Sequence, residues 1–376
     1  MIKKGSMTDH PPLMMAWLMW GLVALLYFIG FFQRMAPAVM VDELMRDFAI
    51  GGALMGNLSA TYFYSYAAMQ IPTGLLVDSV GPRKVNTIAC MITTLGIVIF
   101  AFSPNLWVAY LGRFLIGASV AVAFVTMMKL AAHWFSARRF ASVTGIALLV
   151  GCIGGVMAGV PLSEGVSLFG WRTVMAFTGV LALILTAASW LIIRDDPEEY
   201  GFKSHAYKRD ENRNRLSSKR ALKLAVTNRQ TWFLFFAGGL STAPVLVFAG
   251  LWGVPYLTQI HGLDRSSAAL LTSTMQITFA IGGPLLGAIS DRMGKRKAPY
   301  LTATILTTLC WALFLFIDLP VILFYPVLGL IGLFSGALII GFAWSREVNH
   351  PEAPGAVGGV VNMSVLGFAA ILQPLL

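Results

Sequence analysis

One charged loop occurs twice in this chain, in the same register. The first copy runs Gly74, Asp78, Gly81, Arg83, Lys84, and the second runs Gly287, Asp291, Gly294, Arg296, Lys297, with one constant offset at all five positions. Each copy sits between two long apolar runs. A repeat of this kind means that a half-protein was duplicated, each half carrying its own membrane helices.

Composition agrees. Of 376 residues, 57% are hydrophobic and 12% charged, whereas a soluble domain carries about 25% charged residues. The net charge is +10. Its basic residues concentrate in short loops beside apolar segments, which is how cytoplasmic loops read, so nucleic acid is not expected as a partner. Cys90, Cys152 and Cys310 each lie in an apolar run, with no Cys or His at metal spacing, and read as small buried hydrophobes. No metal, cofactor or catalytic grouping is expected, and the chain does not read as an enzyme.

A spanning helix needs about 20 apolar residues. Eleven segments meet that: 13–36, 52–77, 84–103, 106–131, 141–163, 172–193, 231–258, 266–289, 298–317, 320–344 and 356–376. Placing the N-terminus in the cytoplasm collects Lys3, Lys4, Arg83, Lys84, Arg138, Arg139, the 292–297 cluster and Arg346 on one side, leaving Arg46, Arg172 and Arg265 outside. Segment 194–229 is rich in both charges and reads as a cytoplasmic tether. Its part after Ser217 is expected to form a basic amphipathic helix on the anionic leaflet. The expected organisation is therefore a six-helix bundle over 1–193, a linker over 194–229, and a five-helix bundle over 230–376. A second bundle matching the first would need one more span, and truncation is the favoured explanation.

The repeated loop resembles the signature of the major facilitator superfamily, G-x-x-x-D-[RK]-x-G-[RK]-[RK]. GAISDRMGKRK matches it throughout, including Arg292; GLLVDSVGPRK departs at Ser79 and Pro82. Gly74 and Gly287 permit close helix approach, and Gly81 and Gly294 a tight turn. Asp78 and Asp291 can face a helix N-terminus or a nearby Arg. The resemblance implies that this cluster latches the cytoplasmic side when the outer side is open. Gly112-Arg113-Phe114-Leu115-Ile116-Gly117, the loop Phe135–Arg139 and Gly170-Trp171-Arg172 resemble other family positions. Together they imply an all-α membrane fold of two pseudo-symmetric bundles. For Arg113 the resemblance implies a structural or a coupling role. Gly151, Gly155 and Gly159 form a close-packing stripe; Gly159-Val160-Pro161 departs from the Gly-Pro motif of drug antiporters.

Arg34 follows about 20 apolar residues of the first helix, and intramembrane charge is expensive and usually functional. Sugar-phosphate and organic-anion members of the family often hold a basic residue here, so the resemblance implies an anion site. The alternative is an Arg at the outer headgroup level, paired with Asp42 or Glu43. Tyr62, Tyr66 and Gln70, at spacing four, suit either a wet cavity or ordinary packing. The seventh helix is interrupted by Gly and Pro and holds no basic residue to match Arg34. Gln276 and Asn362 are neutral candidates for the opposite wall. Lys129 reads as snorkelling. No Asp or Glu lies mid-span, so coupling through a central carboxylate is not visible.

The expectation is a monomeric symporter or antiporter of the bacterial inner membrane, moving a small organic anion or zwitterion by alternating access. Its branch is that of the sugar-phosphate and organic-anion permeases. The alternatives are an amino-acid or peptide transporter, or a transporter-like membrane sensor.

Overall fold

A computed structural model of the chain describes residues 10–205, 218–350 and 354–375; the side chains of Asp78 and Arg138 lie outside the described ones. A chain in lipid satisfies its backbone by coiling, and the described residues hold helices and no strand. The first half runs α1 (Leu13–Met35), a 3-10 turn Ala36–Val39, the short α2 (Val41–Phe48), α3 (Gly52–Val80) and α4 (Pro82–Ala101). It continues with α5 (Leu106–Val120), α6 (Ala123–Trp134), α7 (Ala137–Met157), α8 (Val160–Phe169) and α9 (Trp171–Ile192). After the central segment come α10 (Ser218–Thr227), α11 (Arg229–Val247), a π turn Phe248–Trp252, α12 (Gly253–Gln259) and α13 (Arg265–Met293). The last are α14 (Lys297–Phe316), α15 (Phe324–Ser335), α16 (Leu338–Glu347) and α17 (Pro354–Leu372).

Among the described residues, ten segments are long and apolar enough to cross a membrane. The expected second span is not among them. It forms the 29-residue α3, which has the length to span, but Asn57, Tyr62, Tyr64, Ser65, Tyr66 and Gln70 dilute its apolarity. Three spans expected to be continuous are broken: α5 and α6 at Ala121–Val122, α7 and α8 at Ala158–Gly159, α15 and α16 at Gly336–Ala337. The fifth span also reaches Phe169 rather than 163, because Pro161 starts a fresh helix at a position where it costs no hydrogen bond.

Within the first half, α4 packs on α5 and α9, α1 on α7, and α3 on α5. Within the second, α13 packs on α15, α11 on α17, and α14 on α15. The duplication is visible in the packing itself. A Cβ on Gly117 of α5 would run into the Tyr62 carbonyl of α3, and one on Gly332 of α15 into the Met275 carbonyl of α13. Tyr62 and Met275 stand at the same offset as the two signature loops.

The two sets of helices meet along α3 with α17, and α13 with α7 and α8. Two of the three glycines of the expected stripe lie on that second seam. Gly155 faces Gln276 and Gly159 faces Ser273 across it, whereas Gly151 packs on Tyr27 and Phe31 of α1 within its own half; a Cβ at any of the three would crowd a side chain. Further polar contacts cross between the sets at the end opposite the linker. Tyr64 donates to the Ala370 carbonyl at 3.0 Å, Ser266 pairs with Glu164, and Arg265 pairs with Glu43 at 2.7 Å.

The described start of the central segment, up to His205, is not the free tether expected of it, and residues 206–217 lie outside the described ones. Asp195 accepts the Arg83 backbone N–H at 2.5 Å, and Asp196 pairs with His133 at 2.6 Å. Its acids meet the donors of the first signature loop and of α6. His205 stacks on His10 with centroids 3.8 Å apart. The helix expected after Ser217 does form, as α10, yet its apolar face is taken by protein rather than lipid. Ala225, with Ala221 and Leu222, packs on Val357 and Val360 of α17.

Candidate functional site

Arg34 lies in the last turn of α1 and turns inward. It is 6% exposed, with its guanidinium carbon 4.5 Å from the Phe31 ring centroid, 5.0 Å from Tyr66 and 5.7 Å from Tyr62. The headgroup alternative therefore fails, since Asp42 and Glu43 reach Arg265 instead. The Nε of Arg34 has no hydrogen-bond partner among the described residues.

Spacing of four along α3 puts Tyr62 and Tyr66 on one face, and their rings stack 5.9 Å apart. Tyr62 is fully buried, so it is a wall and not a wet surface. Its hydroxyl donates to the Gly30 carbonyl at 2.8 Å, which pins the ring. Beyond that ring lies Arg113 of α5, its guanidinium carbon 5.1 Å from the Tyr62 centroid. Arg113 donates to the Gln33 carbonyl at 2.7 Å, while its Nε and second Nη have no partner among the described residues. Two buried guanidinium groups thus share one tyrosine. Among the described residues, no carboxylate forms an ion pair with either. Charge buried without a counter-charge is costly, and aromatic faces offset only part of it.

The remaining candidates lie on the seam. Gln70 accepts from Asn362 at 3.1 Å, so these two bridge α3 and α17. Gln276 reaches Gly155, next to Met35. Neither Gln276 nor Asn362 has a described contact with Arg34. Sequence reasoning missed Gln33, which is fully buried, holds Arg113 through its carbonyl and donates its amide to Thr178 at 3.2 Å. The only signal for it was a polar residue beside Arg34. A cavity of about 530 Å³ lies elsewhere, between α11, α14 and α16, with Phe233, Leu234, Tyr300 and Trp344 in its wall.

The signature loops are each occupied within their own half. Gly81 and Gly294 take φ of +93° and +61°, the turn conformations expected of them. Gly287 lies close to Ile339, but a Cβ on Gly74 would meet nothing. The close approach expected at Gly74 is not seen among the described residues. The Arg83 side chain donates to the Trp190 carbonyl at 2.8 Å and lies over its ring. Arg296 bonds Asp291 at 2.5 Å and Glu347 at 2.8 Å, and these carboxylates hold its guanidinium protonated to still higher pH. Lys84 and Arg292 are exposed. Lys129 does not simply snorkel; it donates to the Val77 carbonyl at 2.7 Å, beside the first loop.

Helices of this length and apolarity define a multi-pass membrane protein. A family model described as Major Facilitator Superfamily matches residues 23–374, and the chain belongs to that family of transporters, not of enzymes. It is similar to a probable sulfoacetate transporter of Cupriavidus necator, 24% identical over 282 residues, covering 73% of this chain and 65% of the relative. It is also similar to a probable galactarate/D-glucarate transporter of Escherichia coli, 24% identical over 378 residues, covering 92% and 84%, and to a putative tartrate transporter of Agrobacterium vitis, 25% identical, covering 73% and 64%. For the first relatives matched, the chain thus spans about two thirds of their length. Among solved structures, the fold matches a bacterial homolog of the human lysosomal transporter Spinster, inward-facing and unoccupied, with TM-score 0.80, 16% identity and coverage of 97% and 82%. It also matches the nucleoside transporter NupG, with TM-score 0.71, 15% identity and coverage of 95% and 90%.

Proposed function

We propose that this chain is a secondary active transporter for a small organic anion, working by alternating access. The observation that carries this is the buried pair Arg34 and Arg113 about Tyr62, with no described carboxylate paired to either. Such a site lacks a negative partner that a carboxylate, sulfonate or phosphate ligand supplies, and the planar Arg fork suits those groups. The names of the relatives support the class: sulfoacetate, tartrate and glucarate are all anions.

In this reading residues 1–193 and 230–376 form two bundles that rock about the site, joined by 194–229. The bundles meet at the end opposite the linker, while each signature loop is held by its own half, so the state is open towards the linker. The positive loops support a cytoplasmic position for that side, with the N-terminus, in a bacterial inner membrane. Gly74, Asp78, Gly81, Arg83 and Lys84, with Gly287, Asp291, Arg292, Gly294 and Arg296, would latch it when the other end opens. The protein works as a monomer. The test is a thermal-shift screen of purified protein against sulfoacetate, tartrate, glucarate and glucose 6-phosphate, with neutral sugars and amino acids alongside, followed by uptake into proteoliposomes. Stabilisation by an anion and its accumulation are expected. Binding without accumulation would instead indicate a sensor, and a response confined to amino acids would remove the anion reading.

A further inference from the structure

The two ends of the molecule are tied differently. At the linker end, the side chains of Arg83 and Arg296 make their hydrogen bonds inside their own halves. At the opposite end, a cation of the second half reaches across. Arg265 opens α13, behind the N-cap Asp264, which accepts from the Ser267 N–H at 2.8 Å. One Nη of Arg265 lies 2.7 Å from Glu43 of α2, and the other 3.9 Å from Asp42. The neighbouring Ser266 bonds Glu164 of α8. One residue step of α13 therefore grips two separate elements of the first half.

The pair is partly shielded. Glu43 and Arg265 side chains are 18% and 26% exposed, and Arg265 lines a small cleft with Asp42, Ala38, Val39, Val254 and Pro255. Shielded, charge-assisted bonds outweigh exposed ion pairs. The second Glu43 oxygen is buried and has no partner among the described residues. Breaking the bridge would return both Glu43 oxygens to water, so the contact is not a permanent staple.

We propose that the Arg265–Glu43 bridge, with Ser266–Glu164 beside it, is the lock that keeps the end opposite the linker shut. This rests on the alternating-access reading given above. The test uses two cysteine reporters in the full chain in membranes, with alkylation read peptide by peptide. Ala38→Cys lies in the cleft beside Arg265, and Gly74→Cys lies at the open linker end. Arg265→Gln and Glu43→Gln should each raise labelling of Ala38→Cys by about ten-fold, the usual scale of coupling between sites. The exchange Glu43→Arg with Arg265→Glu should return it towards the parent rate. Unchanged Ala38→Cys labelling in the single variants, at parental thermal stability, would overturn the lock. So would an exchange variant that labels as fast as the single ones. Under alternating access, Gly74→Cys should slow as Ala38→Cys quickens. Quickening at Ala38→Cys with no slowing at Gly74→Cys would leave the lock standing and overturn the rocking motion instead.

Discussion

The chemistry concentrates on one tyrosine. Tyr62 is pinned by its hydroxyl and carries a guanidinium towards its ring from α1 and another from α5. If Arg34 binds the anion, Arg34→Ala should weaken binding about 10- to 100-fold, the worth of a charge-assisted hydrogen bond, with folding intact. Arg34→Lys should recover only part, since a point charge cannot reproduce the planar fork. Isothermal titration with the best anion of the screen decides it; unchanged affinity in the Ala variant would exclude Arg34 from the site. Arg34 was legible in the sequence because a charge deep in an apolar run has few bland explanations. The tyrosines were legible as a stripe, though not as a buried wall. Arg113 meets Arg34 only through Tyr62 and Gln33, and no local pattern encodes a contact between residues so distant in the chain.

At the level of helices, close contact is set by glycine. Gly117→Ala should force α5 off the Tyr62 carbonyl, and Gly332→Ala should force α15 off Met275. Overpacking of this kind costs about 1–3 kcal/mol. Both variants should lower the unfolding temperature in detergent, and only Gly117→Ala should also weaken anion binding. A second contact fixes the turn before α9. Asp47 of α2 accepts the Trp171 indole N–H at 2.9 Å and lies 3.6 Å from Arg172. The indole bond first, then Arg172, holds its carboxyl below the usual range. A lowered folded value means stability present above the unfolded value, about 3.9, and lost as pH falls through the folded one. Asp47→Asn should therefore unfold at lower temperature than the parent at pH 7, and the gap should close below about pH 4. A gap that persists in acid would mean that shape, not charge, holds this corner. Helix order was legible from apolar length, although α3 has the length of a span without its apolarity. The breaks in the fourth, fifth and tenth spans were not, because small residues such as Gly159 and Gly336 bend a helix only when a neighbour presses close.

For the whole molecule, the repeated loop foretold the matched halves, and its offset reappears in their packing. The linker was read as free because its charges look solvated in sequence; their partners, Arg83 and His133, are distant in the chain. Its exposed Glu198 offers a test of orientation. Glu198→Cys should react with impermeant thiol reagent in inside-out vesicles and not in spheroplasts, and the reverse would invert the topology. The halves match in scaffold but not in charge. The first holds Arg34 and Arg113, while the second has no Lys or Arg between Arg229 and Arg265, the stretch that includes α12 and most of α11. A bound anion would therefore ride as a passenger with one half, and the other would serve as the door. Substitutions on the door should change how fast it swings, and those around Tyr62 how tightly the passenger is held.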